Sequence, residues 1–161
     1  MIVFLDFDGV LHPDPCVDAK RLFEHAPRLA QAVHDFPDVG LVLSTAWRQT
    51  RPYQQLLVML PAGLRERIIG MTPNFGDFAP HASLIPYRRQ AECVQWLQQN
   101  RLQGEAWLAL DDRYGLFTPY CENLIACQPQ SGFDADVSAR LRSALQRERQ
   151  RRGHEVDLLI E

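Results

Sequence analysis

Five short and almost uninterrupted apolar runs are separated by stretches of helical periodicity, and this alternation narrows the possible folds more than any other feature. The runs are IVFLDF (2–7), VGLVLST (39–45), RIIG (67–70), AWLALD (106–111) and NLIAC (123–127). A strand with one wet face alternates apolar and polar residues, whereas continuous apolar runs of this length belong to strands covered on both faces. Between them, residues 22–35 set Leu22, Phe23, Ala26, Leu29, Ala30 and Val33 at helical spacing, and PYQQLLVML (52–60) is a second helical stretch. A third (86–100) opens with Pro86 and stops at Asn100. A fourth (134–152) starts with Asp134 and Asp136, turns Val137, Leu141 and Leu145 inward and ends at Gly153. Strands alternating with helices predict parallel βαβ units: an α/β, doubly wound (Rossmann-like), mainly parallel sheet flanked by helices. The tail EVDLLIE (155–161) reads as a late edge strand.

At 161 residues the chain is expected to form one domain over 1–161. A net charge of −3 offers no global basic field for nucleic acid or membrane. No apolar run approaches the ~20 residues of a membrane span, and the N-terminal run lacks the basic flank of a signal peptide. Cys16, Cys93, Cys121 and Cys127 form no C-x-x-C pair, which predicts reduced structural thiols in a cytoplasmic protein.

In open α/β sheets ligands bind beyond the carboxyl ends of the strands. That rule gathers Asp6 and Asp8 after the first run, Ser44 and Thr45 after the second, and Asp111 and Asp112 after AWLAL. The helical stretch at 86–100 precedes this last strand, so Arg88 and Arg89 in its first turn face the same rim. Carboxylates crowded on one rim repel each other unless a cation sits among them, and a hard divalent ion with oxygen ligands, Mg²⁺ above all, meets that need. Beside such an ion one aspartate can attack phosphorus and a second can serve as acid and base. A hydroxyl and a guanidinium would bind the phosphoryl oxygens.

FLDFDGV, LVLST and LALDD resemble, in this order, the first, second and fourth motifs of the haloacid dehalogenase-like (HAD) superfamily. STAWR, MTP (71–73), RRQAECVQWL and LALDD are further similar to the small HAD domains related to those of Swiss Army knife RNA repair proteins. The resemblance implies a phosphatase with Asp6 as nucleophile and metal ligand, and Asp8 as acid/base that also ligates the metal through its carbonyl. Thr45, or else Ser44, would bind the transferring phosphoryl group, and Asp111 and Asp112 would hold Mg²⁺. The third motif, usually lysine, departs from the pattern: the single lysine, Lys20, stands too early, which leaves Arg89 or, second, Arg88. Residues 10–38 and 46–85 leave no room for a folded cap, only for a lid in the proline- and glycine-rich segment MTPNFGDFAPHASLIP. An open, capless site suits phosphate on something large, such as a nucleic-acid end.

Blander roles stand beside these. His12 could meet substrate, but a surface turn histidine is the expectation. Trp47 is expected to pack, although a rim aromatic can stack on a base. Arg140, Arg142, Arg147, Arg149, Arg151 and Arg152 read as a solvated helix face rather than a nucleic-acid surface. The rival functions are a catalytically weak metal- and phosphate-binding module and a nucleic-acid-binding accessory domain.

Overall fold

The structure is a computed structural model that describes the backbone of residues 1–158 and the side chains of residues 1–154. Five strands form one sheet: β1 (Ile2–Leu5), β2 (Gly40–Leu43), β3 (Ile68–Met71), β4 (Trp107–Asp111) and β5 (Leu124–Ala126). Their order is β3-β2-β1-β4-β5 and every pairing is parallel, so the expected doubly wound α/β sheet is the observed one. The helices are α1 (Ala26–His34), α2 (Tyr53–Met59), α3 (Ala62–Arg65), α4 (Arg88–Gln99) and α5 (Ala135–Leu158). Among the described residues no helix is long and apolar enough to cross a membrane.

The continuous apolar runs serve two cores at once. Val3, Leu5, Leu41, Leu43, Leu108 and Leu110 pack with Leu29 and Val33 of α1, Leu64 of α3 and Leu141 and Leu145 of α5. On the other face Phe4, Val42 and Ala109 meet Cys93, Trp96 and Leu97 of α4. Phe4 sits edge-on between Trp96 and Trp107, with centroids 5.8 and 5.7 Å away. Since neither face of β1 and β2 is left to water, their apolar residues are buried on both sides, about 1.5–3 kcal/mol for each large side chain, whereas Ile69 on the edge strand β3 is half exposed. The two faces also decide the site: a polar residue following a strand lands either among α1, α3 and α5 or beneath α4.

Two boundaries differ from the periodicity, and a short helix is added after the second stretch. The first helix starts at Ala26 rather than near 22, because Phe23 adopts φ 59° and Pro27 sets the first turn. The second stretch ends before Pro61, with Leu60 extended, and α3 follows. The last helix runs through Gly153 to Leu158. One glycine costs a helix only about 1 kcal/mol against alanine, and Glu148 pairs with Arg151 and Arg152 across that turn. The edge strand expected over 155–161 is therefore replaced by helix as far as Leu158, and its last three positions lie outside the described residues.

Candidate active site

Register builds the centre of the site. Leu5 pairs with both Leu43 and Leu110, so Asp6, Ser44 and Asp111 stand level at the ends of three neighbouring strands. The ladder continues into them, with the Asp6 N–H donating to Leu110 O at 3.1 Å and the Ser44 N–H to Leu5 O at 2.9 Å. Strand alternation puts Asp6 on the side of Phe4 and Asp111 on the side of Ala109, which is the α4 face. Helix α4 begins above this row, and Arg89, its second residue, reaches down into it.

Arg89 Nη1 lies 3.5 Å from Asp6 Oδ2 and 3.2 Å from Asp111 Oδ2, and also donates to the Ser44 carbonyl. Its Nε is 3.6 Å from Glu92 Oε2. Asp6, Asp111, Arg89 and Glu92 are all at least 96% buried, so these charges interact with little screening by water. Arg48 extends the network from the other side: Nη2 meets Glu92 Oε2 at 2.5 Å and Nη1 donates to the carbonyls of Ser44 and Thr45 at 3.0 and 2.6 Å. Glu92 Oε1 accepts the Phe75 N–H at 3.0 Å, which ties the segment after β3 to α4.

Asp112 faces the same row from the turn after β4. One carboxylate oxygen from each of Asp6, Asp111 and Asp112 falls within 4.8 Å of the others. The approach depends on Gly9, at φ 68°, because a Cβ there would stand 2.4 Å from Asp112 Oδ2. Burial first, then repulsion from Asp111, raises the Asp6 carboxyl to about 7 against the pull of Arg89. Burial likewise raises Asp111, and burial with the charge of Asp6 raises Asp112 to about 6. Asp111 Oδ2 and Asp112 Oδ1 are buried and accept no hydrogen bond. Three crowded carboxylates of raised proton affinity, two with an oxygen that accepts no hydrogen bond, fit a hard divalent cation.

Asp8 sits two residues along and in another setting. The chain has left the sheet, and its side chain is 39% exposed. Its Oδ1 lies 2.9 Å from His12 Nε2, and its Oδ2 accepts the Trp47 indole N–H at 2.8 Å. The His12 bond is the main influence holding this carboxyl below its ordinary value, and the Trp47 bond acts the same way. His12 Nδ1 accepts the Phe23 N–H at 3.4 Å, so Nε2 carries the proton and donates to Asp8.

His12 is thus neither on the surface nor open to substrate: it is fully buried, edge-on to Phe23 with centroids 5.2 Å apart. The expectation failed because the turn folds under an aromatic cluster of Phe7, Phe23 and Trp47 that no local pattern announces. Trp47 packs as expected and also binds Asp8, while Arg51 covers its ring at 4.6 Å. Thr45 is buried and its Oγ1 caps the following turn by accepting the Trp47 N–H at 3.3 Å. Ser44 Oγ is buried and unpartnered beside the Asp6 row. Arg89 joins the carboxylates; Arg88 remains exposed, with its guanidinium 5.4 Å from the Phe75 ring centre. Of the arginines of α5, Arg142 pairs with Asp35 at 3.1 Å and Arg152 with Glu105 at 2.5 Å, which is the behaviour of a solvated face.

Arg48 escaped sequence reasoning, since nothing local marks an arginine that will bind carbonyls and a distant glutamate. Glu92 left one signal, its i+3 spacing from Arg89 on a helix.

Neither the search of curated proteins nor that of solved structures returns a match. The model of one family, described as the HAD domain in Swiss Army Knife RNA repair proteins, matches residues 2–137. That match spans β1 to the start of α5 and with it every residue of the acidic row, Asp8 and Arg89, and the chain belongs to this family.

Proposed function

We propose that the protein is a Mg²⁺-dependent phosphomonoester hydrolase that works through an aspartyl-phosphate on Asp6. The observation that carries this reading is the row of buried Asp6 and Asp111 and half-buried Asp112, with oxygens within 4.8 Å of one another and Arg89 bridging the first two. Asp6, Asp111 and Asp112 would hold the ion, joined by the Asp8 carbonyl. Mg²⁺ there supplies positive charge against which a phosphate can approach a carboxylate.

An oxygen of Asp6 attacks phosphorus and the bond to the leaving oxygen breaks. Asp8, which stands outside the row of Asp6, Asp111 and Asp112, would in its protonated form deliver a proton to that oxygen. Asp8 then takes a proton from water as the water attacks the phosphoryl group, which releases inorganic phosphate and restores Asp6. Arg89 offsets the charge of Asp6 and Asp111 throughout, and a hydroxyl of Thr45 or Ser44 donates to the phosphoryl oxygens. His12 and Trp47 hold both oxygens of Asp8 and keep the carboxylate in one orientation. A nucleic-acid end is the favoured substrate, a reading supported by the RNA repair named in the family's description.

The test is release of phosphate from an aryl phosphate, with and without Mg²⁺, by wild type and Asp6→Asn. Metal-dependent release that vanishes in the folded variant is expected. Equal release from both proteins refutes the role of Asp6. One observation favours a second reading, a binding module with negligible turnover: Arg89 is engaged by Asp6, Asp111, Glu92 and the Ser44 carbonyl, which leaves it little freedom to follow a phosphoryl group. Mg²⁺-dependent binding of phosphate without hydrolysis of any ester would select that reading.

A further inference from the structure

A cleft of about 590 Å³ opens beside the carboxylate row, lined by Arg48, Arg88, Arg89, Arg113 and Glu92 among others. None of Asp6, Asp8, Asp111 and Asp112 lines it, so it lies next to the reacting centre rather than on it. Its volume is that of a small-molecule subsite.

The charges around it do not balance. Glu92 answers Arg48, while Asp6 and Asp111 answer Arg89. Arg88 and Arg113 are exposed and have no carboxylate in ion-pair contact among the described residues; Arg88 has only the face of Phe75. Arg48 is already committed, its Nη atoms bound to Glu92 and to the carbonyls of Ser44 and Thr45. Helix α4 makes the imbalance worse. Two arginines occupy its first turn, at the positive end of the dipole, and no side chain caps it at Tyr87. A chain with net charge −3 thus lines this cleft with four arginines and one carboxylate.

We propose that this cleft is a subsite for a second phosphate of the substrate, held between Arg88 and Arg113 while the scissile phosphate lies at Asp6. The inference rests on the hydrolase reading of the neighbouring site and names its substrate class: a phosphomonoester that carries another phosphate about a nucleotide's length away. A small bisphosphate and the penultimate phosphodiester of an oligonucleotide end present the same chemistry.

The experiment compares a nucleoside monophosphate, the corresponding 3′,5′-bisphosphate and a 5′-phosphorylated dinucleotide in the presence of Mg²⁺. The ratio of kcat/KM between two-phosphate and one-phosphate substrates is measured for wild type, Arg88→Gln, Arg113→Gln and the double variant. Calorimetric binding of the same compounds to Asp6→Asn supplies a readout that needs no turnover. Wild type should favour two phosphates about tenfold or more, the scale of one charge-assisted contact, and the double variant should lose that preference. Both positions are exposed, and thermal melting checks that the variants fold. A preference shared by bisphosphate and dinucleotide assigns the cleft to any second phosphate; a preference for the dinucleotide alone assigns it to oligonucleotide ends. Equal treatment of one and two phosphates by wild type, in turnover or in binding, overturns the proposal, as does a preference that survives in the double variant. If no ester is hydrolysed, the calorimetric comparison still decides the subsite, and only the hydrolase reading falls.

Discussion

Asp6 and Asp8 are two residues apart and share little else. Asp6 continues a central strand, is buried, and neighbours two carboxylates and Arg89; its proton affinity rises to about 7. Asp8 has left the sheet, is 39% exposed and takes hydrogen bonds from His12 and Trp47 that hold its carboxyl low. Burial beside another carboxylate raises a carboxyl, and donors near water lower it. One short sequence thereby supplies two carboxylates in different settings, because the strand ends between them. The buried side answers to charge balance and the exposed side to orientation, so they should break in different ways.

The largest effect is expected on the buried side. Arg89→Met leaves Asp6, Asp111 and Glu92 without their common cation, and loss of one partner from a buried network costs about 3–5 kcal/mol. Chemical denaturation of the metal-free protein measures this, and Mg²⁺ should recover part of the loss by putting positive charge back among Asp6, Asp111 and Asp112. A loss below about 1 kcal/mol would mean that the network contributes little more than exposed pairs do.

Next in size is a dependence on pH. The folded pKa of Asp6, about 7, lies above that of an unfolded aspartate, so folding here favours the protonated form. The metal-free protein therefore loses stability as pH rises from about 4 through 7, because the folded state increasingly carries a buried charge it resists. Asp112, raised to about 6, adds to the loss with the same sign. Protons and Mg²⁺ compete for these oxygens, so the rise in Tm on adding Mg²⁺ should be larger at pH 8 than at pH 5.5. An equal rise at both pH values would remove Asp6 and Asp112 from the metal site.

The two sides also differ in how far the sequence revealed them. The acidic row was legible because it depends on strand ends: continuous apolar runs mark the strands, and a parallel sheet brings their carboxyl ends to one edge. Arg89 was legible as the first choice of two arginines in a helix turn on that edge, three before Glu92; the helix phase in the structure sets it apart from exposed Arg88. The setting of Asp8 was not legible. His12 reads as a turn residue, and its burial depends on Phe23 and Trp47 arriving from elsewhere in the chain. Arg48 was hidden for the same reason, since its partners are backbone carbonyls and Glu92. Gly153 misled in the opposite direction, because a helix held by side-chain pairs tolerates a residue of low propensity.

On the Asp8 side the expected losses are smaller and depend on the chemistry of the leaving group. His12→Ala frees Asp8 Oδ1 and lets the carboxylate swing, which matters most when the departing oxygen needs a proton. For an alkyl phosphate kcat/KM should fall about tenfold to a hundredfold, within the 10²–10⁴ that general acid–base catalysis supplies in full. A nitrophenyl phosphate leaves without help and should fall much less. The same loss with both substrates would reduce His12 to a packing residue.

Trp47→Phe is the gentlest break of the comparison. The phenyl ring retains the contacts with Phe7 and Phe23 but removes the N–H that binds Asp8 Oδ2 at 2.8 Å. With His12 still on Oδ1, the carboxylate loses one of two tethers, worth about 0.5–1.5 kcal/mol as an ordinary hydrogen bond and hence roughly two- to tenfold in rate. The loss should again be greater for the alkyl ester, and Trp47→Phe combined with His12→Ala should cost more than the two separate losses multiplied, because each tether limits the motion that loss of the other permits. Strictly multiplicative losses would mean that the two donors act on Asp8 independently, and orientation of that carboxylate would then no longer set this side of the site apart from the buried one.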